Sequence, residues 1–313
     1  PHIFSVTQRI QINSNSISEL KLEQLLKYFF TLYPDIMFSE ILTLVAIEYF
    51  KEQKIDFAVF EVFVGGELDT TNIFKSSATV ITSIGLDHQQ ILGNSYEEIL
   101  TQKLGILRSN TPLFTRLKHP IIDLKVKLTG AVYHYVTRIE ETNLQGNFQK
   151  EKAGLAYEVL NYFLIDSKII KSALCRVGIR GRTEFLKRNI ILDCAHNEIA
   201  LQRLNHYVQT SYALKNFTKK HLVFALSKDK DLVDFEFFLN YFDSIIITKS
   251  YIFKAQDLMS SIQNLNINIQ DKIEYIKNLD DVFKRVESIS KEELVVITGS
   301  VFLVADILQH YSS

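Results

Sequence analysis

Four prolines and 11 glycines punctuate 313 residues, too few for a low-complexity linker, and no internal repeat is present. Two cysteines, Cys175 and Cys194, stand without a second pair. That excludes a disulfide framework and a zinc signature, and it suits a reducing cytoplasm. No charge of one sign dominates, since 35 basic residues face 36 acidic ones for a net charge of -1. Bulk attraction to nucleic acid or anionic lipid is therefore missing. The longest apolar-rich stretches, 41–50 and 294–308, are too short or too interrupted to span a bilayer. The start, Pro1-His2-Ile3-Phe4, carries no basic region and no apolar core of a signal peptide. What is present is a 47% hydrophobic and 23% charged chain, long enough for two ordinary globular domains.

Helical spacing of apolar residues predicts a helix over 38–51. A continuous apolar run over 57–64, broken only by Glu61, reads as a buried strand, and 78–84 as a second one. Residues 95–107 read as a helix with Ser95 as N-cap and Glu98 completing a capping box. Two more helices are expected over 151–163 and 167–176. After Arg182, strands over 190–193, 222–226, 244–248 and 294–298 alternate with helices over 198–209, 232–241, 280–288 and 301–311. That alternation implies βαβ units and a mostly parallel sheet. Gly178 and Gly181 interrupt the pattern, so two α/β domains are expected, 1–178 and 179–313.

Ligands of parallel α/β sheets gather at the carboxyl ends of strands. The polar residues expected there are Glu61 with the turn from Gly65 to Asn72, Asp87-His88, and Lys103 on the next helix. In the second half they are Asp193-Cys194-Ala195-His196-Asn197, Lys228-Asp229-Lys230-Asp231 and Thr298-Gly299-Ser300. Each has a bland reading. Gly65-Gly66 alone is a tight turn, Lys103 a solvated helix residue, Asp193 and Asn197 helix caps. Glu61 is more informative, because burying a carboxylate without a partner is costly.

The whole set, in order, resembles the folylpolyglutamate synthase and dihydrofolate synthase family within the Mur ligase superfamily. The run from Glu61 to Asn72 is similar to its E-V-G-x-G-G-R-x-D-x-T-N segment. Thr82-Ser83-Ile84-Gly85-Leu86-Asp87-His88, Leu92-Gly93 and Lys103-Leu104-Gly105-Ile106 resemble its T-S-I-x-x-D-H, L-G and K-x-G-I block. Gly181-Arg182, Asp193 to Asn197, Asp229-Lys230-Asp231 and Gly299-Ser300 match its G-R, D-x-A-H-N, D-K-D and G-S landmarks. Pro1-His2 with Arg9-Ile10 resembles the S-P-H…R-I segment that follows the family's nucleotide loop.

The resemblance implies a two-domain Mur ligase-like α/β fold: a P-loop-type ATPase domain, here incomplete, followed by a Rossmann-like domain, with the active site in the cleft between them. It implies an ATP-dependent ligase that adds L-glutamate to a folate or to dihydropteroate through an acyl phosphate. ATP is then a co-substrate and two Mg²⁺ sites are expected, with Glu61 on one ion and His88 on the second. Lys103 matches a lysine that is carbamylated by CO₂. Arg182 would meet phosphate, Asp193 the ribose hydroxyls, and Asn197 the base or ribose. His196 would face the phosphates and the incoming glutamate. Gly65, Gly66, Asp69, Thr71 and Asn72 would lie on the folate side. A cytoplasmic monomer without nucleic-acid or membrane partners is expected.

Several residues depart from the family pattern. Phe63 replaces Gly, Glu67 replaces Arg and reverses a charge, Gln102 stands for Glu, Arg180 for Pro and Lys152 for Asn. No G-x-x-x-x-G-K-[ST] loop occurs. The expectation is therefore a fragment that starts downstream of that loop and is inactive without it. The alternatives are a Mur-type ligase of peptidoglycan precursors and a degenerate, non-catalytic folate- or nucleotide-binding module.

Overall fold

The structure is a computed structural model that describes residues 2–226, 231–249 and 259–312. Packing divides the chain into two compact units, Pro1–Thr137 and Arg138–Ser313. The boundary expected at 178/179 lies within the second unit by this measure. The reason is local: α6 (Asn147–Tyr162) packs on α7 (Ser167–Leu174), and the Tyr207 hydroxyl donates to Gln145 just ahead of α6.

The first unit opens with a small hairpin, β1 (Gln11–Ile12) and β2 (Asn15–Ser16), and a helix pair, α1 (Glu19–Leu32) and α2 (Phe38–Glu52). Leu22, Leu25 and Phe29 of α1 and Ile41, Leu42 and Val45 of α2 are buried at helical spacing against one another. A three-stranded parallel sheet follows, in the order β3 (Thr79–Ile81), β4 (Pro112–Thr115), β5 (Val132–Tyr135). Short α3 (Gln89–Leu92), α4 (Tyr96–Lys103) and α5 (Pro120–Thr129) connect these strands. The expected capping box of α4 is present. Ser95 Oγ accepts from the Glu98 amide at 3.2 Å, and Glu98 Oε2 accepts from the Ser95 amide at 3.0 Å.

One expected strand is corrected. Residues 57–64 run without a ladder among the described residues. Their exposure still alternates: Phe60, Val62 and Val64 turn partly inward, while Val59 is 92% and Phe57 62% exposed. Phe60 packs on Phe50 and Phe74. Extended geometry was legible from the apolar run, but the second covered face was not there, so Glu61 is exposed rather than buried.

The second unit carries a six-stranded sheet in the order β10-β9-β8-β11-β7-β6. These are β6 (Glu184–Lys187), β7 (Ile190–Leu192), β8 (Lys220–Phe224), β9 (Ser244–Ile247), β10 (Ile273–Tyr275) and β11 (Leu294–Thr298). All pairs are parallel except β6 with β7. The helices are α8 (Glu198–Thr210), α9 (Glu236–Leu239), α10 (Met259–Ile262), α11 (Ile267–Gln270), α12 (Leu279–Glu287) and α13 (Val301–Ser312). Central β11 is buried along its full length and β8 at all but its first residue, Lys220, as a sheet covered on both faces requires. Among the described residues, no helix is long and apolar enough to cross a membrane.

Candidate active site

The turn after residue 64 is built by its own side chains. Asp69 Oδ2 accepts from the Phe63 and Val64 amides at 2.9 and 3.0 Å. Its Oδ1 accepts from the Thr71 amide at 2.9 Å and the Thr71 hydroxyl at 2.6 Å. Four donors on one carboxylate hold the loop closed. Asn72 donates from Nδ2 to the carbonyls of Glu67 and Gly105 and accepts from Arg108 at 2.6 Å. Asp69, Thr71 and Asn72 are thus committed to the shape of the loop.

Two glycines allow the loop to lie on the end of α4. A Cβ at Gly66 would come within 2.7 Å of the Gln102 carbonyl oxygen and 2.8 Å of that of Lys103. A Cβ at Gly105 would strike the backbone of Glu67. The Glu67 amide donates to Gln102 O at 2.9 Å. Gly65 has a φ of +75°, a conformation glycine adopts without strain. The spacing of G-G-E and K-L-G-I is thus a packing requirement, and it brings Lys103 to the loop.

Burial lowers the Lys103 pKa, while Asp87 and Asp69 oppose the shift. The structure therefore gathers Lys103, the Asp87-His88 turn and the Asp69 loop. His88 is exposed, has a φ of +53° and sits at the N-cap of α3. Glu61 lies beside Arg9, which it stabilises as a cation. The Arg9 guanidinium carbon lies 5.7 Å from the Phe38 ring centre and 5.6 Å from that of Phe63, and its Nε donates to His2 Nδ1 at 2.9 Å. This gives Phe63 a structural role that its departure from the family pattern did not suggest.

A cavity of about 790 Å³ opens beside the same loop. It lies between the connection from α1 to α2, at Leu32, Tyr33 and Ile36, and the loop residues Leu68, Thr70 and Ile73. Its volume is that of a small-molecule site.

In the second unit the expected residues meet at the carboxyl end of β7. Asp193 is buried; its Oδ2 accepts from the Thr183 amide and hydroxyl at 2.7 and 2.9 Å, and its Oδ1 from the Ala195 amide at 2.7 Å. Burial raises the Asp193 pKa against the pull of these bonds. The Cys194 amide donates to Gly181 O, so the Gly181-Arg182-Thr183 turn is fastened here with Arg182 close enough to stabilise the Asp193 carboxylate. Asn197 caps α8, accepting from the Ala200 amide at 3.0 Å. Exposed His196 places Nδ1 2.9 Å from Cys194 O. The Gly299 amide donates to Ala195 O, and a Cβ at Gly299 would strike Ala225 O, so the Thr298-Gly299-Ser300 turn closes on the same rim. Lys152 of α6 joins this group. Desolvation lowers its pKa, and Arg182 and Arg203 lower it further. Of the expected charged turn, Lys228, Asp229 and Lys230 lie outside the described residues.

Among the described residues, no group of three or more His, Cys, Asp or Glu side chains could cage a metal ion. A single carboxylate such as that of Glu61 is the kind of protein donor that Mg²⁺ takes when phosphate and water complete its shell.

The order of these α/β units and their strand ends defines a two-domain, Mur ligase-like fold. Residues 181–310 match the family model "Dihydrofolate synthetase, C-terminal domain". The dihydrofolate synthase/folylpolyglutamate synthase of Bacillus subtilis is 29% identical over 98% of this chain and 81% of its own length. E. coli FolC in complex with DHPP and ADP superposes with a TM-score of 0.88 at 20% identity, covering 100% of this chain and 80% of that one. The bifunctional folylpolyglutamate synthase/dihydrofolate synthase of Yersinia pestis, complexed with AMPPNP and Mn ion, gives 0.87 at 22% identity, covering 100% and 81%. Residues 181–310 thus belong to the dihydrofolate synthetase C-terminal domain family, and the chain along nearly its whole length is similar to dihydrofolate synthase/folylpolyglutamate synthases.

Proposed function

We propose that this chain carries the site of an ATP-dependent ligase that joins L-glutamate to the carboxylate of a folate or of dihydropteroate. The observation that carries this reading is the double contact of the 65–72 loop. One side lines the 790 Å³ cavity, and the other rests, through Gly66, on the backbone of Lys103. The acid-binding space and the phosphate-side residues are thereby held in one rigid piece of the first unit. The named ligands of the relatives, ADP, a nucleotide analogue with Mn and DHPP, support the same reading.

In the reaction a substrate carboxylate oxygen bonds to the γ-phosphorus of ATP as the bond to the β-phosphate breaks. The glutamate amine then attacks the acyl carbon, and phosphate leaves. Bound Mg²⁺ supplies charge neutralisation between phosphates. Glu61 and His88 are the residues we assign to hold it. Burial favours the neutral amine of Lys103, the form that CO₂ carbamylates, and the resulting anionic oxygens suit a hard cation. Arg182, Asp193, Asn197 and His196 form the nucleotide and glutamate rim on the second unit. The working division is 1–178 for the ATPase-type part and 179–313 for the glutamate-ligase part, supported by the start of the family match at 181. Two free cysteines suit a cytoplasmic enzyme.

The gene should restore growth of a bacterium that lacks its folate ligase. Lys103→Ala should abolish that rescue, and the purified variant should lose about 100-fold or more in turnover, partly regained with added short carboxylates. Full rescue by Lys103→Ala would remove Lys103 from the chemistry.

A further inference from the structure

Arg9 ends the short turn Val6–Arg9, is half-buried, and is held by three residues from different parts of the first unit. Its guanidinium lies over the Phe38 ring, at the start of α2, and over the Phe63 ring, 5.7 and 5.6 Å from their centres. Its Nε donates to His2 Nδ1 at 2.9 Å. Burial and the nearby Arg9 charge lower the His2 pKa, which keeps that imidazole a neutral acceptor. Glu61 is near enough to favour the Arg9 cation against its burial, yet among the described residues the two form no ion pair. A half-buried arginine beside a carboxylate ordinarily closes on it, because the paired N–H donors and the two oxygens match. Here the rings and His2 hold the cation back, and its Nη1–Nη2 edge remains for another oxyanion. Phe63 stands where the family pattern has Gly, so half of this aromatic hold is a feature of this chain.

We propose that Arg9 is a further catalytic residue of the ligase, its Nη1–Nη2 edge binding two oxygens of the reacting oxyanion beside Glu61. This rests on the reading above that an acid carboxylate is phosphorylated at this site. A guanidinium edge offers two parallel N–H donors that suit a carboxylate or a phosphate equally. Both partners of the first step carry such oxygens, and their negative charges must be neutralised as they meet. A cation fixed in advance does this without reorganising during the step. Phe63 is then a positioning residue, acting through the contact of its ring with the guanidinium.

Steady-state glutamate transfer by protein produced from its complete reading frame tests this. Arg9→Ala should lower kcat by about 100-fold or more, and millimolar methylguanidinium should restore part of it by binding against the same two rings. In the double variant Arg9→Ala, Phe63→Gly the same compound should restore nothing. Phe63→Gly alone, at a ring already 39% exposed, should lower kcat about fivefold with an unchanged midpoint in urea. A raised KM for dihydropteroate in Arg9→Ala, with unchanged calorimetric affinity for a non-hydrolysable Mg-ATP analogue, assigns the edge to the carboxylate. The reverse pattern assigns it to the γ-phosphate. Wild-type turnover in Arg9→Ala, or lost turnover that methylguanidinium does not restore, would overturn the role of Arg9. Should Arg9→Ala fail to fold, wild-type turnover in Phe63→Gly would overturn it instead. Absence of transfer by the folded wild type would overturn the ligase reading itself, a failure distinct from these.

Discussion

Cys194 follows the end of β7, covered by the turn that carries Arg182, and burial pushes its thiol up to about 12. It is therefore a protonated, inaccessible thiol at neutral pH, while Cys175 is exposed. A thiol-exchange reagent at pH 8 should label Cys175 in the folded protein and Cys194 only after denaturation. Simultaneous labelling of both would contradict the packing of this turn. Burial acts on Lys103 in the opposite sense, lowering its pKa against Asp87 and Asp69. One physical cause thus keeps a thiol inert and favours the neutral form of an amine. The difference lies in which form of each group carries charge.

At the scale of elements, the 65–72 loop and the end of α4 form one joint. Gly66→Ala forces a methyl group onto the Gln102 and Lys103 carbonyls, and backbone cannot move aside as a flexible side chain can. It should destabilise the first unit by about 1–3 kcal/mol, read as a lower midpoint in urea, with folate binding weakened in parallel. An unchanged midpoint would mean that the loop does not rest on α4. This joint shows what sequence can and cannot reveal. The motif glycines were legible as a family signature, but alone they read as turns, because their need arises from residues nearly 40 positions away. The capping box at Ser95 and Glu98 was legible outright, since every partner lies within four residues. Asp193 and Asn197 were placed correctly at a strand end and helix start for the same local reason. The run 57–64 misled, because an apolar stretch records a preference for extended backbone and says nothing about whether a neighbouring strand is present to pair with it. β5, β6 and β10 are half-buried or exposed along their length and carry no continuous apolar run of the kind that made β7 and β9 legible.

For the whole molecule, the account assigns acid binding and metal-side chemistry to the first unit and the nucleotide–glutamate rim to the second. The departures fit within this division. Phe63 is accounted for by Arg9, Lys152 adds a cation near Arg182, and nothing in the structure explains the charge reversal at Glu67. The most direct test is incorporation of radiolabelled glutamate by protein produced from its complete reading frame, with Mg-ATP and either dihydropteroate or tetrahydrofolate. The account predicts ATP-dependent transfer of label to at least one of these acids, with ADP and phosphate released one for one. Label transfer to neither acid by folded protein that binds Mg-ATP would contradict it.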